Sequence, residues 1–200
     1  MNYLAHLFLA SDKGNARLGG LLADFVRGDA KQQYSLDIQF EIHLHRLIDA
    51  YTDSHPVVLS AKKLVEEKKR RYMGIVLDVF YDHKLAQNWS IYSKLSLPEF
   101  AQQTYRLLRD NNALLPRPVR GFAPFMIHED WLTSYEDMQG FTRTIRRLSR
   151  RLSRGDIMVD CIPDVVENYS AFSVGFDEFF PQLIDYVQKQ RINSTAPTEA

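Results

Sequence analysis

Glu41-Ile-His-Leu-His45-Arg-Leu-Ile-Asp49-Ala-Tyr-Thr-Asp53 keeps its apolar and its charged residues to one helical period. Advancing each position by about 100° places His45 and Asp49 within about 40° of Ile38 and Ile42. A stripe that begins as core therefore continues as imidazole and carboxylate. Asp53 falls one turn further along, near the same face, and His43 points well away. Met73-Gly-Ile-Val-Leu-Asp78-Val-Phe-Tyr-Asp82-His83 repeats the pattern. Asp82 shares a face with Ile75, Val79 and Ala86, Asp78 lies one turn earlier on its edge, and His83 sits about 100° round. Carboxylates turned into an apolar interior are costly unless paired or bound to a cation. Two acid–imidazole helices facing one another point to a divalent metal. Each piece also has an ordinary alternative: a surface hydrogen bond between His45 and Asp49, an ion pair of Asp78 and Asp82 with Arg46 or Arg70, and a satisfied core histidine at His83.

Helical periodicity extends from these segments over almost the whole chain. Helices are expected at about 2–10, 15–27, 37–53, 56–69, 72–90, 98–112, 121–131, 134–152 and 157–190. Pro56 and Pro98 fall in first turns, where the missing N–H costs nothing. Ser134 is the expected N-cap of the 134–152 helix, with Asp137 three residues on. Pro116 and Pro118 should separate two helices. Pro163 and Pro181 should kink or divide the last segment. Residues 191–200 have the composition of a disordered tail. No hairpin signal, internal repeat, GxGxxG, Walker loop or GxSxG is found. The expected fold is an all-α, single-domain helical bundle over residues 1–190.

The chain has 200 residues with 25 Lys plus Arg against 25 Asp plus Glu, so its net charge is zero and a globally basic nucleic-acid binder is disfavoured. Cys161 is its single cysteine. That excludes an internal disulfide framework and a multi-cysteine zinc site, and it is compatible with a reducing cytoplasm. No run approaches the roughly 18 apolar residues of a membrane span. The apolar N-terminus carries His6, lacks a basic leader and meets Asp12 at once, so it is expected to be a core helix rather than a signal peptide.

Two further sites are candidates. Asp24 flanks the stripe of Leu18, Leu22 and Phe25. Asn2 and His6 share a helical face. A ligand set of Asp24, His45, Asp49, Asp78, Asp82 and His83 would suit Mn²⁺, Mg²⁺, Fe²⁺ or Zn²⁺. Such an ion acidifies bound water and offsets charge on a phosphoryl oxygen, which favours hydrolysis. The segment Thr142–Arg154 holds six arginines and no acid. Ile145, Leu148 and Leu152 mark its packed side, while Arg143, Arg146, Arg147, Arg150, Arg151 and Arg154 form a local positive stripe that could steer an acidic partner, Arg143, Arg146, Arg147 and Arg150 first.

Four blocks together, Met1-Asn-Tyr-Leu-Ala-His6-Leu, Leu21-Leu-Ala-Asp24-Phe-Val-Arg-Gly28, His45-Arg-Leu-Ile-Asp49 with Thr52-Asp-Ser-His-Pro56, and Leu77-Asp78-Val-Phe-Tyr-Asp82-His83, resemble the acyl carrier protein phosphodiesterase family. That family looks like a divergent branch of the all-helical HD phosphohydrolases. The resemblance implies a cytoplasmic enzyme that hydrolyses the phosphodiester joining 4′-phosphopantetheine to a serine of holo-acyl carrier protein, using water activated by a metal, Mn²⁺ first. It places the metal at Asp24, His45, Asp49, Asp78, Asp82 and His83. His6 and Asp53 match the family's positions as well, and catalytic roles are expected for His6 and for Arg46, the latter offsetting phosphoryl charge, with Arg27 as an alternative. Since such carrier proteins are acidic, the arginine stripe becomes their expected dock. A nucleotide or other small phosphoester is the alternative substrate, and an adaptor that binds acidic partners is the non-enzymatic alternative.

Overall fold

A computed structural model describes residues 1–195. Those residues form thirteen α-helices and no strand. In chain order these are α1 (Tyr3–Leu9), α2 (Leu18–Leu22), α3 (Leu36–Ser54), α4 (Pro56–Lys62), α5 (Arg70–Gln87), α6 (Trp89–Tyr92), α7 (Leu97–Asp110), α8 (Arg117–His128), α9 (Trp131–Ser134), α10 (Met138–Ser149), α11 (Gly155–Val159), α12 (Ile162–Glu167) and α13 (Tyr169–Thr195). None is long and apolar enough to cross a membrane.

Helix α5 runs through the centre. Its second half is buried on every side, from Val79 to His83 and on to Ala86. α1, α10 and α13 pack around it. From α13, Phe172, Phe176, Phe179 and Phe180 stack into this core, with the Tyr81 and Phe179 rings 5.4 Å apart. Tyr81, Phe80 and these four rings supply the large area of apolar burial that holds short helices in place.

Helix boundaries depart from expectation where the chain turns sharply. The expected 15–27 helix shrinks to α2, and Asp24 falls in the turn after it. Ser134 does not cap α10: it ends α9, and its hydroxyl donates to the carbonyl of Trp131, the first residue of that helix. Asp137 caps α10 instead, accepting from the Gly140 amide at 2.6 Å. Gly140 is required at that corner, because a Cβ there would stand 1.5 Å from the Ser134 carbonyl oxygen. The expected 157–190 helix divides into α11, α12 and α13. Pro163 sits in the first turn of α12, whereas Pro181 lies inside α13 without ending it. α13 continues to Thr195, so residues 191–195, expected in the tail, are helical; the remainder of that tail lies outside the described residues.

Candidate active site

Helix α3 brings the decisive stretch to the centre of the site. His45 and Asp49, one turn apart, face α1 and the turn after α2. His45 Nε2 lies 3.2 Å from Asp49 Oδ2 and 3.3 Å from Asp24 Oδ1. His6 arrives from α1, its ring stacked on His45 with centroids 3.5 Å apart. His6 Nε2 donates to Asp49 Oδ1 at 3.0 Å and to the Met1 carbonyl at 3.2 Å. Ligand atoms of His6, His45 and Asp49 all lie within 4.8 Å of one another. The Met1 ammonium donates to Asp78 at 2.9 Å and to Asp49 at 3.4 Å, so α5 joins the cluster through Asp78.

The charges follow from these contacts. Burial and the neighbouring charge of His45 lower the His6 pKa to about 4, which leaves that ring neutral near pH 7. Burial opposes charge on His45 as well, but hydrogen bonds to Asp24 and Asp49 win and raise it to about 9. Asp49 is desolvated, yet the imidazoles and the Met1 ammonium hold its carboxyl well below the usual range. Burial raises Asp78. Opposed shifts of adjacent groups are the mark of a site arranged for chemistry rather than of a random surface.

Helix α2 sets the direction of the His45 ring. Its Nδ1 donates to the Gly20 carbonyl at 2.9 Å, which leaves Nε2 aimed at the carboxylates and, in the neutral ring, without a proton. Gly19 and Gly20 make this contact possible. A Cβ on Gly20 would lie 2.7 Å from the His6 carbonyl oxygen, and one on Gly19 would lie 2.4 Å from Glu41 Cβ. Only bare backbone lets α2 wedge between α1 and α3. Gly20→Ala is therefore expected to displace α2 and free the His45 ring, lowering kcat by roughly 10–100-fold, the usual cost of losing an outer partner of a ligand. Wild-type kcat in that variant would show the carbonyl to be dispensable.

Two expected ligands are not brought to the cluster. Asp82 is fully buried, and both its oxygens accept backbone amides, Leu4 N–H at 2.7 Å and Ala5 N–H at 3.0 Å. It closes the first turn of α1, and burial lifts its pKa to about 7 against the pull of those two donors. His83 is buried with both nitrogens engaged. Nδ1 donates to the Tyr135 carbonyl at 2.6 Å, and Nε2 lies 3.0 Å from the Tyr169 hydroxyl. The ordinary reading of His83 is the one the packing produces. Asp53 stands mostly exposed at the cavity rim, paired with Lys62 at 3.0 Å.

Arg46 donates to the Val26 carbonyl at 2.7 Å. With Arg27 it lines one cleft against Asp24, His45 and Asp49. A second cavity of about 350 Å³ opens on the other side, lined by Tyr3, Asp24, Asp49, Asp78, Leu148 and Arg151 among others. Beside it runs a groove of about 690 Å³ lined by exposed Phe125, half-buried Phe122 and buried Trp131 between arginines of α10 and the following turn. Arg143, Arg146 and Arg150 project from its wall. Arg147 is committed to the fold: its guanidinium stacks 3.3 Å from the Trp131 ring centroid and donates to Thr144 Oγ1 at 2.9 Å. Periodicity along α10 cannot separate Arg147 from its neighbours, because Trp131 comes from another helix.

The sequence model of the family described as acyl carrier protein phosphodiesterase matches residues 1–183. A protein named acyl carrier protein phosphodiesterase from Photorhabdus laumondii is 32% identical over 191 residues, covering 95% of this chain and 96% of its own. Proteins of the same name from Serratia proteamaculans and from Escherichia coli O6:H1 are 33% and 32% identical, each covering 96% of this chain and 100% of their own. No solved structure matches.

Proposed function

This chain belongs to the acyl carrier protein phosphodiesterase family, and we propose that it hydrolyses the phosphodiester joining 4′-phosphopantetheine to a serine of holo-acyl carrier protein, releasing the apo form. The observation that carries this reading is the family match over residues 1–183, which includes every residue of the His6, Asp24, His45, Asp49 and Asp78 cluster. We place the chain with the divergent HD-type phosphohydrolases, in the cytoplasm, on the same footing.

The donor set fits a divalent cation. Two buried imidazoles and a carboxylate lie within reach of one point, and a buried nitrogen of His6, Nδ1, has no partner. His6, His45 and Asp49, with Asp24 beside them, would hold the ion, Mn²⁺ first among Mg²⁺, Fe²⁺ and Zn²⁺. When bound, such an ion supplies Lewis-acid charge and an acidified water. The chain's own residues do the rest. Gly20 holds the His45 tautomer. Neutral His6 has one N–H, given by Nε2 to Asp49 and Met1, and one lone pair, on Nδ1, and its pKa of about 4 places it with the ligands more than with the general acids. Asp78 lines the substrate side of the cavity.

Proton and cation compete for His45. Its pKa stands at about 9 against an ordinary 6.5. In the metal-free protein, this group's contribution to stability is complete below about pH 6.5 and is lost as pH rises through about 9. Apparent affinity for Mn²⁺ is accordingly expected to climb about tenfold per pH unit between those values and to level off above. Calorimetric titration at three pH values checks it; a flat profile would remove His45 from the ligand set.

Arg143, Arg146 and Arg150 dock the acidic carrier protein in the groove, by charge complementarity. The reaction itself is tested by incubating the protein with holo-carrier protein and Mn²⁺ and weighing the carrier. Loss of the phosphopantetheine arm, blocked by a chelator, is the expected result. An unchanged carrier mass alongside cleavage of a small chromogenic diester would overturn the substrate assignment.

A further inference from the structure

The docking groove and the cavity at the cluster meet at one basic side chain. Arg151 lines both. It is the single arginine or lysine among the described residues lining the cavity, whose other charged groups are the Met1 ammonium, held by Asp49 and Asp78, and the carboxylates of Asp24, Asp49, Asp53 and Asp78. Its guanidinium lies 6.0 Å from the Phe122 ring. Phe122 in turn stands 5.8 Å from Tyr3 and 5.5 Å from Phe25, both of which line the cavity. None of the surrounding carboxylates forms an ion pair with Arg151 within 4.0 Å, whereas Asp49 and Asp78 are taken by the Met1 ammonium.

Resting on the phosphodiesterase reading, we infer that Arg151 is the catalytic residue that receives the phosphoryl anion of the substrate as it passes from the groove to the cluster. The Met1 ammonium is held by Asp49 and Asp78, and an ion at the cluster would be held by carboxylates as well, so Arg151 is the positive group on this cavity's wall that no carboxylate engages. A guanidinium presents paired N–H donors that match two non-bridging oxygens, which an ammonium does not. Arg46, expected in this role, gives one N–H to the Val26 carbonyl and lines the other cleft at the cluster, which the arginine groove does not share. Arg151 also sits where a flexible arm leaving the arginine groove must first meet the carboxylates, so it selects for an anionic centre at that depth.

The test measures turnover and binding separately. Arg151→Gln is expected to lower kcat by on the order of 10²–10³-fold, as for loss of one preorganised donor to a charged oxygen, with melting temperature and Mn²⁺ affinity retained. Arg151→Lys should recover part of it. Arg106→Gln, exposed on α7 and lining neither cavity, serves as the unaffected control. Calorimetry with 4′-phosphopantetheine and with pantetheine supplies a readout independent of activity. Wild type should prefer the phosphorylated molecule, and Arg151→Gln should abolish that preference while leaving pantetheine binding unchanged. A kcat within about threefold of wild type, or equal weakening of both molecules, would overturn the inference. Should wild type fail to cleave holo-carrier protein yet keep an Arg151-dependent preference for the phosphorylated molecule, the anion site stands and the substrate assignment falls.

Discussion

Asp49→Asn is expected to abolish turnover without unfolding the protein. The Asp49 carboxylate is the common acceptor of the site. It meets His6 at 3.0 Å, His45 at 3.2 Å and the Met1 ammonium at 3.4 Å. The amide keeps one acceptor oxygen but sets N–H donors against the other partner, so one of the two imidazoles loses its acceptor and the site loses a negative charge. Removing an outer partner of a metal ligand costs roughly 10–100-fold, and Asp49 holds a more central position, so a loss beyond about 100-fold in kcat is expected at saturating Mn²⁺. Asp49 is 40% exposed in its side chain. Its substitution leaves no void in the core, and the melting temperature should stay near that of wild type. Near-normal turnover would dismantle the assignment of the cluster as the active site. A parallel fall in melting temperature would make Asp49 a structural residue.

Asp82→Ala should show the reverse. Its carboxylate is wholly buried and accepts the Leu4 and Ala5 amides, which an alanine would leave stranded in the core. Each stranded buried donor costs about 1–3 kcal/mol, so a loss of about 4 kcal/mol is expected. For a chain of this length that is a drop of roughly 10 °C in melting temperature. Because α1 carries His6, activity falls with it. Asp82→Asn should be milder, since one of its two positions can still accept. Urea unfolding of the two variants checks this order. Full stability with lost turnover in Asp82→Ala would return Asp82 to the metal.

The contrast between these two aspartates marks how far one dimension reaches. Asp49 and Asp82 each lie on an apolar stripe with an imidazole nearby, and helical spacing treats them alike. Their fates differ because α1 presents its side chains to Asp49 and its bare first-turn amides to Asp82. The same holds for His45 and His83. Both donate Nδ1 to a carbonyl, Gly20 in one case and Tyr135 in the other. The second nitrogen of His45 meets carboxylates, and that of His83 meets a tyrosine hydroxyl.

The amino-acid sequence alone determined that the described residues fold as helices without strands, that residues 38–53 set acid and imidazole along an otherwise apolar stripe, and that six arginines stand together in a neutral background. These are properties of neighbours within one helix, where the 3.6-residue turn sets distance without reference to the rest of the molecule. Tertiary structure alone decided that His6 and Asp24 join His45 and Asp49, that Asp82 and His83 hold the core together, that Arg147 belongs to Trp131, and that Arg151 stands between groove and cavity. Those outcomes depend on which helices touch and how closely. At Gly19, Gly20 and Gly140 that approach is governed by missing side chains, whose absence has no period to follow along the chain.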